Sequence, residues 1–156
     1  MVWSWRSIYD RESVRVSTQT NRLAGKMSKA QLISIVDDDA SVRDAIGNLV
    51  YSLGYNSATF TSAKHFLDAG MIAETECLIA DLQMPGLSGL ELQQAVRLHG
   101  YHTPVILIAA VPNDKQRARA LENGAVGFLT KPFDERSLIE CLTTAIKLRS
   151  FIGTAH

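Results

Sequence analysis

Short apolar runs alternate with stretches of helical periodicity along most of the chain. The apolar runs predict five strands, at residues 31–36, 56–60, 77–81, 104–109 and 127–130. The third run is apolar up to Asp81 and the fourth is nearly all aliphatic, which is typical of buried parallel strands. The pattern therefore indicates a sheet at the centre of the fold, with polar segments between its strands.

A helical pattern follows each predicted strand. After the first strand, Val42, Ile46 and Leu49 recur at intervals of three and four residues, as on the buried face of a helix. Residues that favour N-caps precede the helical stretches, and they are Asp39, Ser62, Ser88, Asn113 and Asp134. Five strands alternating with five helices predict an α/β fold, a doubly wound parallel sheet with helices on both faces. The pattern does not determine the order of the strands.

Composition and charge bound the organisation of the chain. Its 156 residues, 46% of them hydrophobic, suit one globular domain, which we place at residues 29–149 with a C-terminal tail at 150–156. Residues 1–28 hold five basic and two acidic side chains without clear periodicity, and we predict a disordered N-terminal extension there. A second interpretation takes Met27 as the natural start, with a leader or a start-site artefact upstream.

Several classes of partner and compartment are not expected. The formal net charge is +0, which does not favour nucleic acid or an anionic membrane as a partner. No apolar run approaches the roughly 18 residues that a membrane span requires. No apolar core segment follows the early basic residues, so a secretory signal is not expected. Cys77 and Cys141 fall in a predicted strand and a predicted helix. We interpret them as reduced thiols of a cytoplasmic protein, although a disulfide is possible.

Charged side chains follow three of the predicted strands. Asp37 and Asp38 follow the first strand, Asp81 ends the third, and Lys131 follows the fifth. Parallel strands end at one edge of a sheet, so three carboxylates crowd into one cleft if the first and third strands are neighbours. Their repulsion is relieved most readily by a hard divalent cation such as Mg²⁺. Taken singly, each residue also suits a cap, a turn or a surface position, but together they indicate phosphoryl chemistry.

Three motifs resemble those of the CheY-like receiver domain of bacterial two-component response regulators, over about residues 32–148. The motifs are Val36-Asp37-Asp38-Asp39, Asp81-Leu82-Gln83-Met84-Pro85-Gly86 with Ser88-Gly89 after it, and Phe128-Leu129-Thr130-Lys131-Pro132-Phe133. The resemblance implies a three-layer flavodoxin-like (βα)5 fold. It also implies the strand order 2-1-3-4-5, which is known for CheY.

The resemblance implies a role for each residue of the cleft. Asp81 is the expected phosphoacceptor, and Lys131 is expected to pair with the phosphoryl group. Asp38, Asp81 and the backbone carbonyl of Gln83 are expected to bind Mg²⁺ directly, and Asp37 through water. The expected donor is a sensor histidine kinase or a phosphotransfer protein. The chain would then be a signalling receiver that catalyses its own phosphorylation, not an enzyme with a separate substrate.

One position departs from the pattern of the family. Thr or Ser usually ends the fourth strand, where Ala109 stands, and neither Ala109 nor Ala110 has a hydroxyl to donate to a phosphoryl oxygen. Such a bond to a charged group contributes roughly 1.5–3 kcal/mol. We therefore expect Asp81 to be phosphorylated but its coupling to the last two helices to be weak or rewired. Phe128 stands at the aromatic switch position, and it is equally consistent with a plain core aromatic.

The expected partners follow from the resemblance and from the short C-terminal segment. Residues 150–156 are too few for an output domain, so we expect a stand-alone receiver that contacts an unknown downstream protein, or a fragment of a longer regulator. A homodimer through the fourth and fifth helices is possible. Direct contact with nucleic acid or with a membrane is not expected.

Two alternatives stay open from the sequence. The spacing Asp37-x-Asp39-x-Ser41 faintly resembles the motif of haloacid-dehalogenase-like phosphatases, with Asp37 as nucleophile and Asp39 as acid–base residue. That family also needs a cap segment and an acidic pair at a later strand end, where only Asp81 is available. The other alternative is a pseudo-receiver that binds partners and is never phosphorylated, and Ala109 is its support.

Overall fold

The computed structural model describes residues 15–18, 20–21, 28–29, 31–111 and 113–154. The strands are β1 (Arg15–Ser17), β2 (Thr20–Asn21), β3 (Ser28–Lys29), β4 (Leu32–Val36), β5 (Asn56–Phe60), β6 (Thr75–Asp81), β7 (Val105–Ala109) and β8 (Gly127–Thr130). The helices are α1 (Ala40–Ser52), α2 (Ala63–Ala69), α3 (Gly89–Leu98), α4 (Asp114–Glu122) and α5 (Glu135–Thr154). Most of the predicted N-terminal extension, Met27 included, lies outside the described residues.

The main sheet has six strands in the order β1-β5-β4-β6-β7-β8. Strands β4 to β8 are the five strands predicted from the sequence, and they pair in parallel, so the order 2-1-3-4-5 is confirmed. The register sets Val36 opposite Phe60 and Ala80, and Asp81 opposite Ile108. The carboxyl ends of β4, β6 and β7 consequently lie side by side at one edge.

Strand β1 is the member of the main sheet that the sequence did not predict, among the residues that the structure describes. It pairs antiparallel with β5, with Arg15 opposite Thr59 and Ser17 opposite Ser57. The Arg15 guanidinium also contacts the Asp44 carboxylate of α1 at 3.4 Å. Three residues are too few to show an alternating pattern, so this edge strand is defined by its pairing with β5.

Two apolar layers cover the faces of the sheet and confirm the three-layer architecture. One buried cluster includes Phe66 of α2, Leu92 of α3 and Ala120 of α4. The cluster on the other face includes Ile46 of α1 and Leu142 of α5. Each fully buried side chain of the size of Leu or Phe contributes about 1.5–3 kcal/mol relative to exposure. These layers hold the sheet rigid, so the strand ends keep their relative positions.

The helices begin at the predicted caps. The cap side chains accept hydrogen bonds from backbone N–H groups of the first turn, and they are Asp39, Ser62, Ser88, Asn113 and Asp134. Ser88 and Glu91 form a complete capping box at the start of α3. Helix α5 continues to Thr154, beyond residue 149 where we predicted the end of the domain. The caps place α1 and α4 directly after the strand ends at the carboxyl edge.

Candidate functional site

Three carboxylates meet at the carboxyl edge of the sheet. Asp37 and Asp38 follow β4, Asp81 ends the neighbouring strand β6, and the three side chains offer oxygen atoms within 4.8 Å of one another. Asp37 is 1% exposed and Asp81 is 4% exposed, whereas Asp38 is open to solvent. The structure therefore brings together the carboxylates that the sequence predicted, two of them buried and one accessible.

The turn from β4 into α1 fixes the carboxylate of Asp37. The Asp37 backbone N–H donates to the carbonyl of Phe60 at 3.2 Å, which ties the strand end to β5. The Asp39 backbone N–H donates to Asp37 Oδ1 at 2.8 Å, and the Arg43 guanidinium donates to the Asp37 carbonyl at 2.6 Å. Asp37 is thus held by both of its neighbouring elements, β5 and α1.

Lys131 supplies the positive charge of the site from the end of β8. Its Nζ donates to Asp37 Oδ2 at 3.0 Å and to Asp81 Oδ2 at 3.3 Å. Its backbone N–H donates to the carbonyl of Ala109 at 2.8 Å, which attaches this residue to the end of β7. One ammonium group is therefore shared between two buried carboxylates. The sequence predicted that Lys131 lies at this edge, but not that it is shared.

The shared ammonium does not fully offset the acidic charge. Burial raises the pKa of Asp81, and the charge of Asp37 raises it further, against the opposing effects of the Gln83 N–H and Lys131. Burial lowers the pKa of Lys131, but the hydrogen bond and charge of Asp37 and the charge of Asp81 outweigh it, so this pKa lies above its ordinary value. Lys131 is therefore protonated at neutral pH. Three carboxylates against one ammonium leave the site short of positive charge, which suits a divalent cation.

Removal of the Asp81 charge is expected to stabilise the metal-free protein. A raised pKa means that ionised Asp81 is less favourable in the folded chain than in the unfolded chain, so it lowers the free energy of unfolding at neutral pH. We expect Asp81→Asn to raise the midpoint of thermal unfolding in EDTA by about 3 °C, or roughly 1 kcal/mol for a domain of this size. The difference should shrink as the pH falls through the folded pKa of Asp81, and vanish below its unfolded pKa.

Circular dichroism melts over a range of pH test this expectation. Asp68→Asn is the matched control, because Asp68 lies exposed on α2 in a surface pair with Lys64. Such pairs contribute little, so this variant should melt close to the parent. An Asp81→Asn protein that melts below the parent at neutral pH would show that burial of the Asp81 charge and its repulsion by Asp37 are not the dominant effects on stability.

The side chain of Gln83 makes contacts that the sequence analysis did not predict. The resemblance implies only that the backbone carbonyl of Gln83 binds the metal. In the structure, the backbone N–H of Gln83 also donates to Asp81 Oδ1 at 3.1 Å. The Gln83 side chain reaches the loop between β7 and α4, where Oε1 accepts from the Ala110 N–H at 2.9 Å and Nε2 donates to the Val111 carbonyl at 3.0 Å. No sequence signal marks such contacts, because they depend on how two loops lie beside each other.

The two switch positions lie on the neighbouring strands β7 and β8, in and against the same buried cluster. Ala109 ends β7 and is fully buried, so a methyl group stands where the family usually has a hydroxyl. Phe128 of β8 is partly buried against the core, and the Arg117 guanidinium of α4 lies 5.9 Å from the centre of its ring. Phe128 is thus both a core contact and a contact of α4.

Asp39, the acid–base residue of the phosphatase alternative, serves as the N-cap of α1. Its Oδ1 accepts from the Ser41 backbone N–H at 2.9 Å and from the Ser41 hydroxyl at 2.7 Å. These hydrogen bonds hold the pKa of Asp39 below its ordinary value. A general acid needs the opposite shift, so the structure does not favour the phosphatase alternative.

Known proteins are similar in sequence to this chain over most of its length. The model of the response regulator receiver domain family matches residues 33–143. The transcriptional regulatory protein TdiR of Thauera aromatica is 38% identical over 125 residues, which are 80% of this chain and 55% of TdiR. The response regulator protein TmoT of Ectopseudomonas mendocina is 41% identical over 118 residues, or 75% of this chain and 53% of TmoT. The chain thus spans about half the length of these curated relatives.

Solved structures agree with the sequence matches. The structure of the response regulator StyR matches with a TM-score of 0.76 at 34% identity. The match includes 81% of this chain and 64% of the StyR chain. The structure of FixJ-N has a TM-score of 0.68 at 28% identity and covers 77% of this chain and 96% of that chain. With its acidic cluster and its parallel sheet, the chain belongs to the response regulator receiver domain family and has the receiver function of two-component phosphorelay signalling.

Proposed function

We propose that Asp81 is the phosphoacceptor of this receiver, and that a sensor histidine kinase or a phosphotransfer protein supplies the phosphoryl group. The observation that carries the proposal is the Lys131 ammonium, which bridges Asp37 and Asp81 beside the exposed Asp38. A buried carboxylate next to a fixed cation suits a nucleophile whose product carries more negative charge than the free side chain.

The transfer is a substitution at phosphorus. A carboxylate oxygen of Asp81 attacks the phosphorus of a phosphohistidine donor, the new O–P bond forms as the N–P bond breaks, and the imidazole leaves with the electron pair. Negative charge on the phosphoryl oxygens develops beside Asp81. Lys131 Nζ already lies 3.3 Å from Asp81 Oδ2, so it needs little movement to stabilise that charge.

The acidic cluster fits a magnesium ion. Asp37, Asp38 and Asp81 present oxygen donors within 4.8 Å of one another, and Mg²⁺ prefers oxygen ligands. We propose that Asp38, Asp81 and the Gln83 carbonyl hold the ion directly and that Asp37 holds it through water. When bound, Mg²⁺ supplies positive charge to the phosphoryl oxygens and offsets the repulsion among the carboxylates.

The proposal extends to catalytic status and cellular setting. The receiver catalyses its own phosphorylation and acts on no separate substrate. The chain has two free cysteines among its described residues, Cys77 and Cys141, and free thiols suit the reducing cytoplasm, where we place the protein. Within the part of the chain that the structure describes, no helix is both long and apolar enough to cross a membrane. A homodimer through α4 and α5 stays a prediction, as does contact with a downstream protein.

The function is tested by incubating the chain with acetyl phosphate, with Mg²⁺ or with EDTA, and recording intact mass over time. We expect the mass of one phosphoryl group to be gained with Mg²⁺ and little or none with EDTA, because the acidic cluster then lacks its cation. A chain that gains no phosphoryl group under either condition would instead support the pseudo-receiver alternative.

A hydroxyl at position 109 is expected to strengthen the conformational response. Ala109→Thr would add a donor for a phosphoryl oxygen, and a bond of roughly 1.5–3 kcal/mol shifts a two-state equilibrium by about 10- to 100-fold. Backbone amide shifts of α4 with and without the phosphoryl mimic beryllofluoride measure this response. Ala109 is fully buried, so the smaller Ala109→Ser serves as a second variant if Thr does not fit.

Ala110→Thr is the matched control for the variants at position 109. Ala110 follows the end of β7 and is exposed, whereas Ala109 is fully buried, so a hydroxyl at position 110 should not reach the same oxygen. Equal shifts in the parent and in both position-109 variants would mean that the missing hydroxyl does not limit the switch.

A further inference from the structure

Gln83 joins the loop after β6 to the loop after β7. Its carboxamide contacts two consecutive backbone groups, since Oε1 accepts from the Ala110 N–H at 2.9 Å and Nε2 donates to the Val111 carbonyl at 3.0 Å. Its backbone N–H donates to Asp81 Oδ1 at 3.1 Å. One residue therefore contacts the acceptor carboxylate through its main chain and the β7–α4 loop through its side chain.

The loop that Gln83 holds has few other restraints from the core. Ala109 is the last buried residue of β7, while Ala110 is exposed and Val111 is 69% exposed. Asn113 follows closely and caps α4 by accepting from the Lys115 and Gln116 N–H groups. Val111, whose carbonyl accepts from Gln83, thus lies two residues before the N-cap of α4.

We propose that the Gln83 carboxamide is a positioning residue that couples the chemical state of Asp81 to the β7–α4 loop and the start of α4. This inference rests on the proposed function, because the event that Gln83 transmits is phosphorylation of Asp81. It also gives a route for the rewired coupling between Asp81 and α4 that we expect because Ala109 has no hydroxyl. The coupling runs through two hydrogen bonds to backbone groups and needs no hydroxyl at the end of β7.

The hydrogen bond between the Gln83 backbone N–H and Asp81 is the contact through which phosphorylation acts on Gln83. In the free protein the Gln83 N–H donates to an ionised carboxylate, which is the stronger, charge-assisted kind of hydrogen bond. Phosphorylation converts one carboxylate oxygen of Asp81 into an acyl phosphate and removes the charge of the carboxylate itself. The hydrogen bond then weakens or changes its acceptor, and the backbone of Gln83 shifts. A planar carboxamide with both donor and acceptor engaged carries that shift into Ala110 and Val111.

Gln83→Met tests the contact without any phosphoryl chemistry. Methionine has a similar length but provides neither the acceptor nor the donor, while Gln94→Met, at an exposed site on α3, is the matched control. In the metal-free full chain we expect exchange of the Ala110 amide proton to be about fivefold faster in Gln83→Met, within the range for loss of one neutral hydrogen bond. Gln94→Met should exchange like the parent. Unchanged exchange at Ala110 in Gln83→Met would overturn the proposal.

Beryllofluoride with Mg²⁺ tests the coupling itself. The mimic is added until the Asp38 amide resonance stops moving, which shows saturation, and the shifts at Ala110 and Val111 are then compared among the proteins. We expect these shifts to fall at least about twofold in Gln83→Met and to match the parent in Gln94→Met. Full shifts in Gln83→Met would overturn the proposal. Failure of Gln83→Met alone to bind the mimic would also overturn it, since the Gln83 side chain would then be needed for binding and not for coupling.

The two experiments separate this inference from the proposed function. If the parent itself shows no response to the mimic, the proposed function fails, whatever the exchange rates are. If the parent responds and Gln83→Met responds equally at Ala110 and Val111, only the coupling role of Gln83 fails.

Discussion

Asp81→Asn is expected to abolish phosphorylation by acetyl phosphate and Mg²⁺, with a loss in rate of at least about 100-fold. Asparagine keeps the shape of the side chain and an oxygen that can accept from the Gln83 N–H, but it lacks the ionised nucleophile that attacks phosphorus. The loss should therefore be chemical and not structural. Intact mass recorded over time gives the fraction of chain that carries a phosphoryl group.

Two comparisons make this result specific. Asp68→Asn removes an exposed carboxylate of α2 and should be phosphorylated at the rate of the parent. The Asp81→Asn protein is expected to melt above the parent in EDTA, so loss of phosphorylation together with a higher midpoint cannot be caused by unfolding. Phosphorylation of Asp81→Asn at the parental rate would contradict this prediction and would indicate that the nucleophile is another carboxylate of the cluster, Asp37 or Asp38.

Lys131→Gln is expected to slow phosphorylation by about 100-fold. Its Nζ bridges Asp37 and Asp81, and loss of one preorganised donor to a developing negative charge typically costs about 10²–10³ in rate. Bound Mg²⁺ would still supply part of the positive charge, so we expect the lower end of that range. Rates of mass gain at several concentrations of acetyl phosphate, with saturating Mg²⁺, measure the effect.

Position and charge can be separated with two further variants. Lys131→Arg keeps a positive charge at the same place and should retain more activity than Lys131→Gln, although the planar guanidinium cannot replace Nζ in shape. Lys115→Gln removes an exposed cation of α4 and should leave the rate unchanged. A Lys131→Gln protein that is phosphorylated at the parental rate would show that this ammonium has a structural role only.

Much of the fold was predictable because buried strands leave a strong sequence pattern. The apolar runs before Asp81 and before Ala110 both predict strands, and the structure places the ends of these strands next to each other. Asp37, Asp81 and Lys131 could be predicted to meet because parallel strands share one carboxyl edge. The resemblance added the strand order, which the pattern of residues does not contain.

The features that escaped prediction depend on contacts between segments far apart in the chain. Strand β1 is three residues long and is defined by its pairing with β5, so its own sequence gives no periodic signal. The Gln83 side chain bonds two backbone groups that lie 27 and 28 residues further along the chain. Backbone groups have no residue-specific signature, and only the three-dimensional arrangement reveals the pair. The missing hydroxyl at Ala109 is visible in the sequence, but the contacts of the Gln83 carboxamide with Ala110 and Val111 are not.

The central claim, that Asp81 receives the phosphoryl group, is tested most directly by locating the modification. The chain is phosphorylated with acetyl phosphate and Mg²⁺ and reduced with borohydride, which converts an aspartyl phosphate to homoserine. Peptide mass spectrometry then identifies the converted residue. We predict homoserine at position 81 and unmodified aspartate at positions 37 and 38. Homoserine at Asp37 with none at Asp81 would contradict the claim and support the phosphatase alternative.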